Sequence, residues 1–357
     1  MKRKAGIAVG LLWALGLVAL AGPRIVVTPE TYEFGTVIDG FVVEFNLVIQ
    51  NAGDAPLENI QVIPSCGCTT APLPRNRLLP GESVAVAIRY DTTNYSRYSQ
   101  PTGTSVTITS NDPQRPRVTV WIRGVVRTIL PHEGTARTFD LEFYVLVDLR
   151  PAEAFAQGRL LGAVNIPFAD LPARLAELPR EKPVYLYDEA GIQSVQAAQL
   201  LQQNGFSLPR AIRGGLAGWW QAYGDLFFVW APTAVRTPPS GTPFYGTFAV
   251  VDPSRVAQNY LYVVDIRSPE AYAQGRFPGA VNVPLRTQEE ITAWAATLPR
   301  PVSGTTLAVW IVDEDGSRSG AIAQYLQNLG FTKARALVGG IAAWRAAYGD
   351  TLLFPSR

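Results

Sequence analysis

This chain repeats itself, and that constrains its fold more than any other feature. Asp148 and Asp265, Gly162 and Gly279, and Pro167 and Pro284 each stand 117 positions apart. Asp188 and Asp313, Gly191 and Gly316, Gly205 and Gly330, and Trp219 and Trp344 each stand 125 apart. Two constant offsets describe one duplication, with copies over residues 137–228 and 248–353. About eight extra residues fall in the second copy, near Thr287-Gln288-Glu289-Glu290. Apolar runs alternate with helical periods in both copies, which predicts two α/β units with parallel sheets. At 357 residues the chain is also too long for one ordinary core.

At the centre of each copy lies a short loop. Asp313-Glu314-Asp315-Gly316-Ser317-Arg318-Ser319 follows the apolar run 307–311 and precedes a helical pattern at Ala321-Ile322 and Tyr325-Leu326. Asp188-Glu189-Ala190-Gly191-Ile192-Gln193-Ser194 holds the same place in the first copy, between Val184-Tyr185-Leu186 and Val195, Ala198 and Leu200-Leu201. A strand that turns tightly into a helix aims several amides and the positive end of the helix dipole at one point. That arrangement is an anion cradle. In parallel sheets the ligand crevice lies beyond the carboxyl ends of the strands, where these loops sit.

The flanking motifs resemble a rhodanese domain, twice over. The second copy carries Val264-Asp265-Ile266-Arg267, Glu270-Ala271-Tyr272, 275–284 (Gly-Arg-Phe-Pro-Gly-Ala-Val-Asn-Val-Pro) and Gly339-Gly340-x-x-x-Trp344. The first carries Asp148-Leu149-Arg150, Glu153-x-Phe155, 158–167 and Gly214-Gly215-x-x-x-Trp219. The resemblance implies that the first residue of each loop should be a cysteine that carries a persulfide. Asp188 and Asp313 occupy those positions. A carboxylate cannot form a persulfide, so the family's usual sulfur transfer is not expected at either loop.

Glu189, Glu314 and Asp315 add negative charge where an anionic donor such as thiosulfate would sit. One reading has each Asp capping its own helix, taking the N–H bonds a ligand would otherwise take. The other is an altered site, in which carboxylates bind a cation or an Asp acts as nucleophile. The stretch 313–316 is only superficially like a calcium loop, its ligand spacing being incomplete, so no metal or cofactor is expected. Asp148 with Arg150, and Asp265 with Arg267, read as carboxylate–guanidinium pairs tying strand to helix. Trp219 and Trp344 read as core aromatics. Arg159 and Arg276 stand where the resembling family often has histidine. Ser194, Ser317 and Ser319 lack a histidine partner, because His132 is the only histidine.

Upstream, residues 24–127 are short alternating or β-branched segments such as Ser83-Val84-Ala85-Val86-Ala87-Ile88-Arg89-Tyr90, separated by turn signals such as Pro80-Gly81-Glu82. About seven strands in that length predict an all-β immunoglobulin-like sandwich. The pieces Phe34-Gly35-Thr36-Val37, Asn51-x-Gly53, Ser65-Cys66-Gly67-Cys68-Thr69 and Ser110-Asn111-Asp112 resemble the DUF1573 family of envelope domains, which implies fold and location more than mechanism. Cys66 and Cys68 are the only cysteines. Three readings stand open for them: a structural turn, a redox-active pair whose small ring favours exchange, or a soft-metal site. Residues 229–247, with Pro232, Pro238, Pro239 and Pro243, read as an interdomain linker.

Met1-Lys2-Arg3-Lys4, the apolar run 7–18 and Ala19-Leu20-Ala21 read as a signal peptide with cleavage expected after Ala21, the alternative being an uncleaved N-terminal anchor. That places the mature chain in the periplasm or cell envelope, with no stable membrane span after cleavage. A formal charge of +2 gives no bulk attraction to nucleic acid. The expected protein is a non-catalytic rhodanese-like binding or scaffolding module whose partner is another envelope protein. The alternative is a sulfur carrier or redox protein that uses Cys66 and Cys68.

Overall fold

The computed structural model describes residues 22–95 and 102–355. The expected signal peptide, residues 1–21, lies outside them. The chain divides into two compact units, one ending at Thr128 and the other starting at Ile129.

The first unit is a pair of four-stranded sheets. One sheet orders its strands as Ile25–Thr28, Val42–Asn51, Ser83–Asp91 and Thr69–Thr70, all antiparallel. The other orders them as Thr31–Ile38, Arg117–Arg127, Thr102–Thr109 and Gln61–Pro64, with only the first pair parallel. Strand pleating sends alternate side chains to one face. Val84, Val86, Ile88 and Tyr90 therefore point inward from Ser83–Asp91, and they meet Val106, Ile108, Val120 and Ile122 from the other sheet. The extra strand relative to expectation is Thr69–Thr70. It is two residues long and follows Cys68 directly.

The second unit holds two five-stranded parallel sheets. The first runs Val164–Asn165, Val145–Asp148, Val184–Tyr187, Pro209–Ile212, Val250–Val251. The second runs Val281–Asn282, Tyr260–Asp265, Leu307–Val312, Arg335–Leu337, Glu133–Gly134. Strands Val145–Asp148 and Tyr260–Asp265 are buried along their whole length because helices cover both faces, and their sequences are apolar up to the aspartate that ends each.

The edge strands show that the copies exchange their opening segments. Val250–Val251 opens the second copy but completes the first sheet, while Glu133–Gly134 precedes the first copy and completes the second sheet. The helix after each edge strand follows it. Helix Ala136–Glu142 is started by Thr135, whose hydroxyl accepts the Thr138 amide at 3.1 Å. It lays Phe139 against Phe277, Trp310 and Trp344 of the second copy, with ring centroids 4.7, 5.0 and 5.7 Å away. Glu142 accepts the Trp310 indole N–H and pairs with Arg335. In return, helix Pro253–Ala257 packs on helix Gly215–Tyr223 of the first copy. The Tyr260 hydroxyl donates to the Leu161 carbonyl at 2.7 Å. One continuous apolar core results.

Two further differences between the copies have local causes. Where the first copy makes 3-10 turns at Leu171–Ala173 and Leu175–Glu177, the second uses its extra residues for helix Gln288–Ala295. Thr287 and Glu290 start that helix with a reciprocal capping box. The expected linker 229–247 does not hang as a free spacer. Its first residues continue the strand Phe228–Trp230, paired with Gly158–Leu160. Further on, Phe244 bonds through its amide and carbonyl to Ala190 and Gly214 of the first copy. Proline and glycine forbid regular structure there, but the aromatic residues give the segment something to bury.

Candidate functional site

Each loop begins where a central parallel strand ends, Asp188 after Val184–Tyr187 and Asp313 after Leu307–Val312. Both carboxylates are buried. Asp188 accepts the amides of Gln193 and Ser194 at 3.2 and 3.1 Å. Asp313 accepts those of Gly316, Arg318 and Ser319 at 2.8, 2.8 and 3.0 Å, together with the Ser319 hydroxyl at 3.0 Å. The residues immediately before the two helices are Gly191 and Arg318, so each carboxylate reaches across its loop to the first turn. Part of the set of N–H groups that a loop and helix start leave unpaired is thus satisfied from within.

The loop carbonyls face a second helix. Asp188 and Glu189 accept from Leu216 and Ala217, and Asp313 and Glu314 accept from Ile341 and Ala342, at 2.8–2.9 Å. This close approach needs Gly215 and Gly340, both at positive φ (+58° and +57°), where a Cβ would fall within 2.6 Å of the loop backbone.

Behind each loop lies the aspartate–arginine pair. Arg150 donates to both oxygens of Asp148, its terminal nitrogen approaching to 2.6 Å, and to the Gly158 carbonyl. Arg267 repeats the arrangement with Asp265 and Gly275. The guanidinium groups also reach forward. Arg267 pairs with Glu314 at 3.1 Å, and Arg345 approaches Glu314 at 3.5 Å. In the first copy Trp220 replaces Arg345, and Glu189 instead accepts the Ser240 amide of the proline-rich segment at 3.1 Å. A groove of about 420 Å3 lies beside this loop, walled by Arg150, Glu189, Phe228, Trp230, Val235 and Pro239. On the outer side of the second loop the Ser317 hydroxyl and amide hold the Asp315 carboxyl below its ordinary range. Arg318 donates to the Leu285 carbonyl.

Trp219 and Trp344 are fully buried and donate to the carbonyls of Leu226 and Thr351. Cys66 and Cys68 are in the other unit and are bonded to each other. Among the described residues no group of three or more His, Cys, Asp or Glu is arranged to hold a metal ion, and no helix is long and apolar enough to cross a membrane. What the sequence reading missed was the cover over the first loop from Ser240 and Phe244. Its one signal was aromatic residues, Phe244 and Tyr245, inside a proline-rich stretch.

The family profile of the rhodanese-like domain matches residues 134–222 and 253–347, together more than half of the chain. The chain belongs to the rhodanese-like family. Residues 25–126 match the family described as a protein of unknown function, DUF1573. Among curated relatives, a sulfurtransferase of Allochromatium vinosum is 35% identical over 83 residues, covering 23% of this chain and 78% of that protein. The thiosulfate sulfurtransferase GlpE of Pseudomonas aeruginosa is 31% identical over 105 residues, covering 29% and 88%. The uncharacterized protein YqhL of Bacillus subtilis is 40% identical over 74 residues, covering 21% and 59%. A DUF1573 domain followed by two rhodanese-like domains is therefore the architecture.

In this rhodanese-like protein the loops present carboxylates that already hold their amides. Asp313→Ala is expected to lower stability by about 2 kcal/mol through loss of the cap and exposure of its donors. It should also open the cradle. The expected signature in thermal melts is partial recovery of the variant by sulfate beyond the general salting effect seen in the wild type. Equal responses of the two proteins would show that no cradle opens.

Proposed function

We propose that the two rhodanese-like domains are non-catalytic and that the protein serves in the cell envelope as an exported binding or scaffolding module for another protein. One observation carries this reading: the Asp313 carboxylate takes three loop amides and a hydroxyl. A substrate anion would need those same donors, and it would meet Glu314 and Asp315 in place of a thiolate.

The test is the intact mass of the protein recovered from cells, before and after incubation with thiosulfate. The expected result is a chain beginning at Gly22 that gains no sulfur. A gain of sulfur that is lost in Cys66→Ser or Cys68→Ser would make the protein a sulfur carrier and overturn the binding-module reading. A chain that retains residues 1–21 would overturn export with cleavage.

A further inference from the structure

Cys66 and Cys68 take no part in the loop chemistry, and their bond encloses a single residue. Cross-links stabilise mainly by closing long loops in the unfolded chain, so this one contributes little to stability by that route. Its surroundings are better suited to a thiolate. The Cys66 sulfur lies 3.4 Å from the Thr104 hydroxyl and 3.5 Å from that of Thr69. Both threonines are buried. The Ser65 hydroxyl backs Thr104 at 2.9 Å, and Thr69 donates to Thr104 at 3.4 Å. Disulfide sulfur is a poor acceptor and gains little from such donors, whereas a charged sulfur gains much more.

The two sulfurs are not equivalent. A cleft of about 290 Å3 opens on Cys68, lined by Gly67, Thr70, Arg89, Asp91 and Thr93. The Tyr95 hydroxyl donates to the Cys68 sulfur at 3.3 Å. Both cysteines are half-buried and the Thr69 hydroxyl lies 3.8 Å from the Cys68 sulfur as well, so what separates them is the cleft at Cys68 and the Thr104 hydroxyl at Cys66.

We propose that Cys66–Cys68 is a thiol–disulfide exchange site whose reducing partner is a dithiol entering over Cys68. One thiolate of the dithiol attacks the Cys68 sulfur. The new sulfur–sulfur bond forms as the Cys66–Cys68 bond breaks, and the electron pair leaves on Cys66, where the Thr104 hydroxyl, itself backed by Thr69, donates to it. The second thiol of the partner, once deprotonated, attacks its own bonded sulfur and closes the partner's disulfide. Cys68 is released as a thiolate beside Tyr95. Two electrons pass to the protein, the dithiol is oxidised by two, and its two protons pass through solvent to the cysteines. This inference does not rest on the reading of the rhodanese loops, and it uses a dithiol where that reading uses thiosulfate.

Dithiothreitol is the probe, applied to the full chain, with acid quench, alkylation and intact-mass counting of free thiols. The expected result is reversible reduction while amide hydrogen exchange in the strands Ser83–Asp91 and Thr102–Thr109, which carry the core of the cysteine-bearing unit, stays that of the folded protein. Thr104→Val should slow the reduction about tenfold, the value of a hydrogen bond to a charged leaving group, and Thr104→Ser should restore it. A second measurement needs no threonine variant. With oxidised glutathione, Cys68 in Cys66→Ser should form a mixed disulfide about tenfold faster than Cys66 in Cys68→Ser, because only Cys68 faces the cleft. Reduction only on unfolding, or equal capture by both single-cysteine variants, would make the bond a structural turn and sink the proposal.

Discussion

Asp148→Ala is expected to destabilise the rhodanese-like unit by about 3–5 kcal/mol, the cost of leaving a buried charge without its partner. Asp148 is wholly buried and the Arg150 side chain is only 9% exposed. Removing the carboxylate strips the guanidinium of its two-pronged partner and the Arg150 amide of its acceptor. What remains is the Gly158 carbonyl at 2.7 Å and Glu189 at 3.9 Å. Neither replaces a bidentate carboxylate in a dry site. The double variant Asp148→Ala with Arg150→Met removes both charges and should recover part of the loss, since apolar replacement of a buried pair is often near neutral. Equilibrium urea unfolding of the full chain is the measurement. Tryptophan fluorescence reports the right unit, because six of the eight tryptophans follow residue 129. A single variant that unfolds at the wild-type midpoint would show that the pair does not hold strand to helix. A double variant no better than the single would show that the orphaned charge is not what costs stability.

This pair was legible in the sequence for the reason that the fold was. Asp-x-Arg, the Gly-Ala-Val-Asn run and the double glycine before tryptophan are local patterns, and the duplication writes each of them twice at constant spacing. The sandwich was legible through strict alternation, as in Ser83–Asp91. The exchange of edge strands was not. Glu133–Gly134 and Val250–Val251 are two residues each, too short to show a period, and their partners lie far along the chain. Pairing of that kind is decided by the sheet being completed and leaves no local mark. The same holds for the segment around Ser240 and Phe244. Its composition correctly forbids helix and strand, yet composition does not say whether an irregular segment is solvated or laid over a neighbouring loop. At the site, the identity of Asp188 and Asp313 could be read directly. Which amides each carboxylate takes depends on the path of the loop. Asp313 collects three and Asp188 two although the motifs are copies.

The path of that loop depends on a position with no side chain. Gly340→Ala is expected to cost about 2–5 kcal/mol, combining roughly 1–2 for an L-residue held at left-handed φ with roughly 1–3 for overpacking. At φ +57° the new Cβ would stand 2.5 Å from the Asp313 carbonyl oxygen, 2.6 Å from the Glu314 carbonyl carbon and 2.7 Å from the Asp315 nitrogen. All three are backbone atoms, so no side-chain rotation relieves the contact. The loop must move off the helix start, and the bonds from Ile341 and Ala342 to Asp313 and Glu314 must lengthen. Hydrogen exchange therefore separates the two contributions. Faster exchange at Ile341 and Ala342, beyond what the global loss of stability explains, is the mark of a displaced loop. A uniform acceleration across the unit, with a cost no greater than the left-handed φ alone, would mean that the loop tolerates a side chain there. The double glycine would then not be what seats it.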